Sequence, residues 1–131
     1  MLTYTFALLT IYIMTKNILI VHSDEAISFL IEKMLDSIDT HFCSTNSYEE
    51  VVDIIQTKKF DIIITDSAVK GNFTFQYLEY LKTNANGTPI IVVSQIYQEH
   101  IVKVAKKIGV NEYIPMPFDP IDIKNRINSY L

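Results

Sequence analysis

Asp66 is the first residue to consider for chemistry, because a carboxylate there ends a continuous apolar run, residues 62–65 (IIIT). Other apolar runs also end in polar side chains, namely His22, Ser23 and Asp24 after residues 18–21 and Ser94 after residues 90–93. In open α/β sheets, ligands bind beyond the carboxyl ends of the strands. The side chains at these run ends are therefore the candidates for a site around Asp66.

The elements that must position these residues alternate between strands and helices along the whole chain. Four-residue and five-residue apolar runs predict strands buried on both faces, and residues 40–44 predict a more polar edge strand. Helix starts are indicated by Ser23 or Asp24, by a capping box of Ser47 and Glu50, and by Asp119 before Pro120.

The first predicted helix carries an apolar stripe that includes Leu30 and Ile38, and Gly109 is expected to end the fourth helix. Five strands alternating with five helices predict an α/β fold with a doubly wound parallel sheet.

Composition places limits on the function. The chain has 131 residues and 49% hydrophobic residues, which is typical of one ordered globular domain. Its net charge of −4 provides no general basic field, so we expect no nucleic-acid binding by this domain. Cys43 is the single cysteine, which excludes an internal disulfide and favours a reducing, cytoplasmic location.

Residues 1–14 form an uncharged, mostly apolar N-terminal extension. The extension is too short to span a bilayer and lacks the positive start of a secretory signal. Met14 offers a natural start, so residues 1–14 are expected to be an extended start or a dispensable leader, and 15–131 the domain. The alternative is an added strand or a dimer contact, since the segment is rich in β-branched and aromatic residues.

From about Lys16 to the end, the chain resembles the receiver domains of two-component response regulators. The resemblance is carried by residues 18–21 (ILIV), 61–66 (DIIITD), 89–94 (PIIVVS) and 112–120 (EYIPMPFDP). It implies a (βα)5, flavodoxin-like sheet with strand order 2-1-3-4-5. It also implies that Asp66 is the phospho-acceptor, which would take a phosphoryl group from a histidine kinase in a phosphorelay with the help of Mg²⁺.

The chain departs from the family pattern around Asp66. His22 and Ser23 stand where the family has two metal-binding acids, and Met116 stands where it has a lysine. Imidazole and hydroxyl groups are poor ligands for Mg²⁺, and a thioether carries no charge. The resemblance therefore implies a degenerate phosphorylation site with weak or no metal binding, held at most by Asp66, the Ala68 backbone carbonyl and Asp24.

Two residues are candidates for the missing positive charge. Lys70 lies in the loop after Asp66, although a solvated loop lysine is its simpler interpretation. His22 could instead take a proton and form a hydrogen-bonded pair with Asp66. Asp24 reaches the site only if the turn shifts, since its simpler role is to cap the first helix.

The resemblance also assigns a switch and a partner surface. Ser94 matches the hydroxyl residue that contacts the phosphoryl group, and Tyr113 matches the aromatic residue whose rotamer reports on it. The face formed by the fourth helix, fifth strand and fifth helix, with Tyr97, His100 and Lys103, would bind a protein partner, whether a histidine kinase or a downstream protein. A homodimer is a further alternative.

Three functional hypotheses follow. The first is an atypical receiver that is no enzyme and acts through protein–protein interaction. The second is an ordinary Mg²⁺-dependent phospho-acceptor. The third is an enzyme or cofactor binder on the same frame, which is disfavoured because the turn at residues 22–25 has no glycine and carries two carboxylates. A hydrolytic triad of His22, Ser23 and Asp66 is disfavoured because adjacent side chains at a strand end diverge.

Overall fold

The computed structural model describes residues 15–70 and 74–131, which form five strands and five helices in strict alternation. The strands are β1 (Lys16–Val21), β2 (Thr40–Thr45), β3 (Ile62–Thr65), β4 (Ile90–Ser94) and β5 (Glu112–Pro115). The helices are α1 (Glu25–Leu35), α2 (Tyr48–Thr57), α3 (Thr74–Asn84), α4 (Glu99–Ile108) and α5 (Pro120–Asn128). The predicted extension over residues 1–14 lies outside the described residues.

All five strands are parallel and lie in the order β2-β1-β3-β4-β5, which confirms the predicted doubly wound sheet. The three central strands end nearly level, because Val21 pairs with Thr65 and Thr65 pairs with Val92. The residues that follow these pairs are therefore carried to one edge. This register brings His22 and Asp66, each one residue past its strand, beside the end of β4.

The core consists of two layers, one on each face of the sheet. Alternate residues of β1 divide between them: Ile18 and Ile20 face one layer, whereas Leu19 and Val21 face the other. All four side chains are fully buried. This alternation on a strand covered on both faces explains why the sequence reads as an uninterrupted apolar run. Across the described part of the chain, no helix is both long enough and apolar enough to cross a membrane.

The helix ends follow the sequence signals, with one change. Asp24 and Asp119 cap α1 and α5, each accepting a hydrogen bond from the backbone N–H two residues on. Gly109 ends α4 with a φ of 119°, as expected for a left-handed cap. The capping box is only half formed: Ser47 caps α2, but the Glu50 carboxylate is bonded by the Thr45 hydroxyl instead of returning to Ser47.

The apolar stripe predicted for the first helix is partly wrong. Leu30 is 41% exposed and Ile38 is 99% exposed, whereas Ile31 and Leu35 are buried. Helix α1 ends at Leu35, so Ile38 lies in the following turn and the helical period no longer applies to it. Within α3, Tyr77 is fully buried beside Leu78 and Leu81, a core position that the apolar pattern alone did not indicate.

Candidate functional site

A cleft of about 870 Å³ opens at the carboxyl edge of the sheet, between the ends of β1, β3, β4 and β5. Its lining includes most of the residues that the sequence singled out: His22, Ser23, Asp24, Asp66, Ala68, Lys70, Ser94 and Met116. A second cavity of about 730 Å³ lies at the opposite edge and contains none of them. The predicted site residues are thus brought together by the register of the strands.

Asp66 lies at the centre of this cleft, and its side chain is 14% exposed. Oδ2 accepts a hydrogen bond from the Ser23 hydroxyl at 2.6 Å, and Oδ1 accepts one from the Ser67 backbone N–H at 2.7 Å. The Asp66 backbone N–H donates to the Val21 carbonyl at 2.6 Å, which ties the residue to the end of β1. Both carboxylate oxygens therefore have a neutral donor.

His22 is buried beneath the cleft, with 2% of its surface exposed, and both ring nitrogens have backbone partners. Nε2 lies 3.1 Å from the Val93 carbonyl, and Nδ1 accepts from the Asp24 N–H at 3.1 Å. A carbonyl oxygen needs a donor and an N–H needs an acceptor, so these partners select the neutral tautomer with its proton on Nε2.

The hydrogen-bonded pair of His22 with Asp66 does not form. Nε2 is 3.7 Å from Asp66 Oδ2, beyond hydrogen-bonding distance, and it is bonded to the Val93 carbonyl instead. Nδ1 could take a second proton only by giving up the Asp24 N–H. The ring acts as a strut between β1, β4 and the start of α1.

The other charged candidates, Asp24 and Lys70, make local contacts. The Asp24 side chain is exposed, and its Oδ1 accepts from the Ala26 N–H at 2.9 Å, so its carboxylate caps α1. Lys70 is exposed, and its backbone carbonyl accepts from the Tyr48 N–H at 3.1 Å. Among the ion pairs of residues 15–70 and 74–131, none joins Lys70 to Asp66.

Met116 directly follows β5, and its side chain is partly buried against the core layer that contains Ile18. Its backbone N–H donates to the Ser94 carbonyl at 3.0 Å. The thioether lines the cleft but supplies no positive charge. Within the described ranges, no group of three or more His, Cys, Asp and Glu side chains is arranged to hold a metal ion.

Ser94 and Tyr113 are joined through the loop after β4. The Ser94 hydroxyl accepts from the Ile96 N–H at 3.0 Å, and the Tyr113 hydroxyl donates to the Ile96 carbonyl. Tyr113 is 5% exposed, and its ring centroid lies 6.0 Å from that of Tyr97, which is 57% exposed. The two candidate switch residues therefore share one hydrogen-bonded loop.

Three further residues support the site and were missed from the sequence. The Ser67 hydroxyl, fully buried, lies 2.8 Å from the Ser94 hydroxyl. Thr65 donates to the Asp66 carbonyl at 2.8 Å, and its hydroxyl oxygen lies 2.7 Å from the Tyr77 hydroxyl. Burial raises the pKa of Tyr77, and the nearby Asp66 carboxylate adds to this, while the bond to Thr65 opposes it. Only proximity to Asp66 along the chain could have suggested Thr65 and Ser67, and no sequence signal pointed to Tyr77.

The fold and the site together define a class: a flavodoxin-like α/β domain with an aspartate directly after its third strand, a hydroxyl residue at the end of the fourth strand and an aromatic residue within the fifth. The comparison with protein families agrees with this class. Residues 18–128 match the response regulator receiver domain, and the chain belongs to that family.

One relative is similar over most of the chain. The chain is 30% identical over 107 residues to a probable transcriptional regulator, ycf29, of Cyanophora paradoxa, covering 79% of this chain and 50% of that protein. It thus spans about half the length of that relative.

Solved structures share the fold. A CheY-like receiver domain protein from Methanospirillum hungatei JF-1 superposes with a TM-score of 0.80 at 22% identity, covering 88% of this chain and 92% of that one. The receiver domain of the sensor histidine kinase PA1611 from Pseudomonas aeruginosa PAO1 has a TM-score of 0.76 at 18% identity, covering 88% and 97%. That structure is described with a magnesium ion coordinated in its active-site cleft.

Proposed function

We propose that this receiver domain is atypical: it is not efficiently phosphorylated with Mg²⁺ and acts through protein–protein interaction. The observation that carries the proposal is the set of contacts of Asp66. Its two oxygens accept hydrogen bonds from the Ser23 hydroxyl and the Ser67 N–H. Asp66 has two neutral donors, and no lysine or arginine of residues 15–70 and 74–131 forms an ion pair with it, so the charge compensation that phosphoryl transfer requires is weak.

The donor set does not fit Mg²⁺. This ion requires octahedral coordination, mostly by carboxylate and water oxygens. The His22 ring has both nitrogens bonded to the backbone, and Asp24 is engaged at the helix cap. Asp66 and the backbone carbonyl of Ala68 are the remaining oxygen donors of the predicted set, so we expect only weak binding of Mg²⁺.

The partner surface is proposed for the face of α4, β5 and α5. Tyr97 and His100 are exposed there, and Lys103 forms an exposed ion pair with Glu99 at 3.0 Å, so the face presents an aromatic ring beside solvated charges. Tyr113 lies beneath Tyr97, which supports a link between the site and this surface. The partner would be a histidine kinase or a downstream signalling protein. A cytoplasmic location is part of the same proposal.

Intact-mass measurement after incubation with acetyl phosphate, with and without Mg²⁺, tests the proposal. We expect little or no adduct of about 80 Da, which is the mass that one phosphoryl group adds to a protein. Asp66→Asn is the matched control, because it removes the acceptor while keeping the side-chain shape. A stoichiometric, Mg²⁺-dependent adduct that disappears in Asp66→Asn would refute the proposal.

That same outcome would support the second function, an ordinary Mg²⁺-dependent phospho-acceptor. The observation in its favour is access: Asp66 opens onto the cleft, and Lys70 lines the same cleft. An enzyme on this frame has less support. Both nitrogens of His22 are bonded to backbone groups, and Ser23 donates its hydroxyl hydrogen to Asp66, so the contacts of a Ser–His–Asp triad are not formed. We therefore propose no catalytic turnover for this domain.

A further inference from the structure

Ser67 contacts both Asp66 and Ser94. It directly follows Asp66 and is fully buried, and its hydroxyl lies 2.8 Å from that of Ser94, which is 1% exposed. Two buried hydroxyls at this distance share one hydrogen bond, whichever of them donates. This bond supplies the Ser67 hydroxyl with the partner that it needs, because a buried hydroxyl without a hydrogen bond is unfavourable.

This pair is one of several hydrogen bonds that are connected through the covalent structure of Ser67 and Ile96. The series begins where the Ser67 N–H donates to Asp66 Oδ1 and passes through the two serine hydroxyls. The Ile96 N–H then donates to the Ser94 hydroxyl at 3.0 Å, and the Ile96 carbonyl accepts from Tyr113. Ser67 thus contacts the candidate phospho-acceptor with its backbone and the candidate switch with its side chain.

We infer that Ser67 is a positioning residue. While Asp66 carries no phosphoryl group, Ser67 holds the Ser94 hydroxyl in its buried position, and through Ile96 it also holds Tyr113 in its buried position. The Ser94 hydroxyl has its partners already, and Tyr113 is buried with its hydroxyl bonded. A phosphoryl group on Asp66 would have to compete with Ser67 for Ser94. The surface next to Tyr113 is therefore formed in the unmodified protein. This inference rests on the proposed function, in which that surface binds a partner without phosphorylation of Asp66.

Solution NMR of the unmodified protein tests the inference through signals of residues distant from the mutation. In Ser67→Ala we expect shifted signals of the Ile96 amide and the Tyr113 ring. We also expect hydrogen exchange of the Ile96 amide to be faster by up to about tenfold, the factor for losing one hydrogen bond of ordinary strength, because the Ser94 hydroxyl that accepts from this amide is no longer held by Ser67. Ser94→Ala removes both the link to Ser67 and the acceptor of the Ile96 N–H, so its changes should be at least as large, and the double variant should add little to Ser94→Ala alone.

Thr65→Val is the matched control. It removes other hydroxyl bonds beside Asp66, those to Tyr77 and to the Asp66 carbonyl, but neither of them involves Ser94 or Tyr113. We expect the Ile96 and Tyr113 signals to stay in place in this variant. If Ser67→Ala does not fold, Ser67→Cys tests the same link, since a thiol has nearly the same shape and is a weaker hydrogen-bonding group.

Unchanged Ile96 and Tyr113 signals in folded Ser67 and Ser94 variants would overturn the inference, as would equal changes in Thr65→Val. These outcomes are distinguishable from failure of the proposed function, because the NMR comparison uses protein without a phosphoryl group. A protein that accepts phosphate efficiently at Asp66 would refute the atypical assignment and leave the role of Ser67 in the unmodified state to be decided by the NMR result.

Discussion

Replacing His22 should reveal whether this residue is a structural strut. His22→Ala removes a buried ring and two hydrogen bonds, to the Val93 carbonyl and from the Asp24 N–H. Each bond contributes about 0.5–1.5 kcal/mol, and the cavity adds to the loss, so we expect the free energy of unfolding to fall by about 2–4 kcal/mol in total. His22→Asn should lose roughly half as much, since its side-chain oxygen can still accept from the Asp24 N–H and only the bond to Val93 is lost.

Urea unfolding followed by far-ultraviolet circular dichroism measures these differences. His100→Ala is the control, because His100 is exposed on α4 and its removal should change stability by no more than about 0.5 kcal/mol. Nitrogen NMR of the wild-type ring should show a proton on Nε2 and none on Nδ1. The strut assignment is refuted if His22→Ala costs no more than His100→Ala, or if the neutral ring carries its proton on Nδ1.

Three other perturbations test parts of the fold by the same unfolding measurement. Burial raises the pKa of Tyr77, so above about pH 10 the unfolded chain loses the tyrosine proton more readily than the folded protein does. The wild type should therefore lose stability relative to Tyr77→Phe by up to about 1.4 kcal/mol per pH unit above about pH 10. A stability difference that does not change with pH would contradict this. Gly109→Ala should cost about 1–3 kcal/mol, because φ is 119° and the new methyl group would lie 2.7 Å from Lys82 Cε; no loss would show that the helix end adjusts. Asp119→Ala should cost about 0.5–2 kcal/mol through the lost cap on the Ile121 N–H, and retention of stability would exclude that role.

Much of the fold could be predicted because its signals are local. Apolar runs such as residues 62–65 indicate strands buried on both faces, and Asp24, Gly109 and Asp119 mark helix ends through hydrogen bonds within a few residues. The prediction for Ile38 was wrong for a related reason. Helical periodicity predicts which side chains would share a face, but it does not predict where the helix ends, and α1 ends at Leu35.

The candidate site could be predicted as a set of residues but not as a set of contacts. Strand ends identified Asp66, His22, Ser23 and Ser94, and the cleft brings them together. The sequence alone did not show that the Ser23 hydroxyl would bond Asp66 while the adjacent His22 ring turned inward to Val93. Nor did it single out Ser67, since a serine after an aspartate is ordinary until its hydroxyl is found buried beside Ser94.

By itself, the sequence determined the alternation of strands and helices, the presence of an aspartate at the third strand end and the family that these features resemble. These properties depend on residue type and spacing along the chain. Only the tertiary structure decided how Asp66 is surrounded, because Ser23 and His22 follow β1, a separate strand whose register with β3 is set by pairing across the sheet. Asp66 is consequently a carboxylate held by Ser23 and Ser67, with a neutral His22 beneath it, and that arrangement depends on competition between donors and acceptors far apart in the sequence.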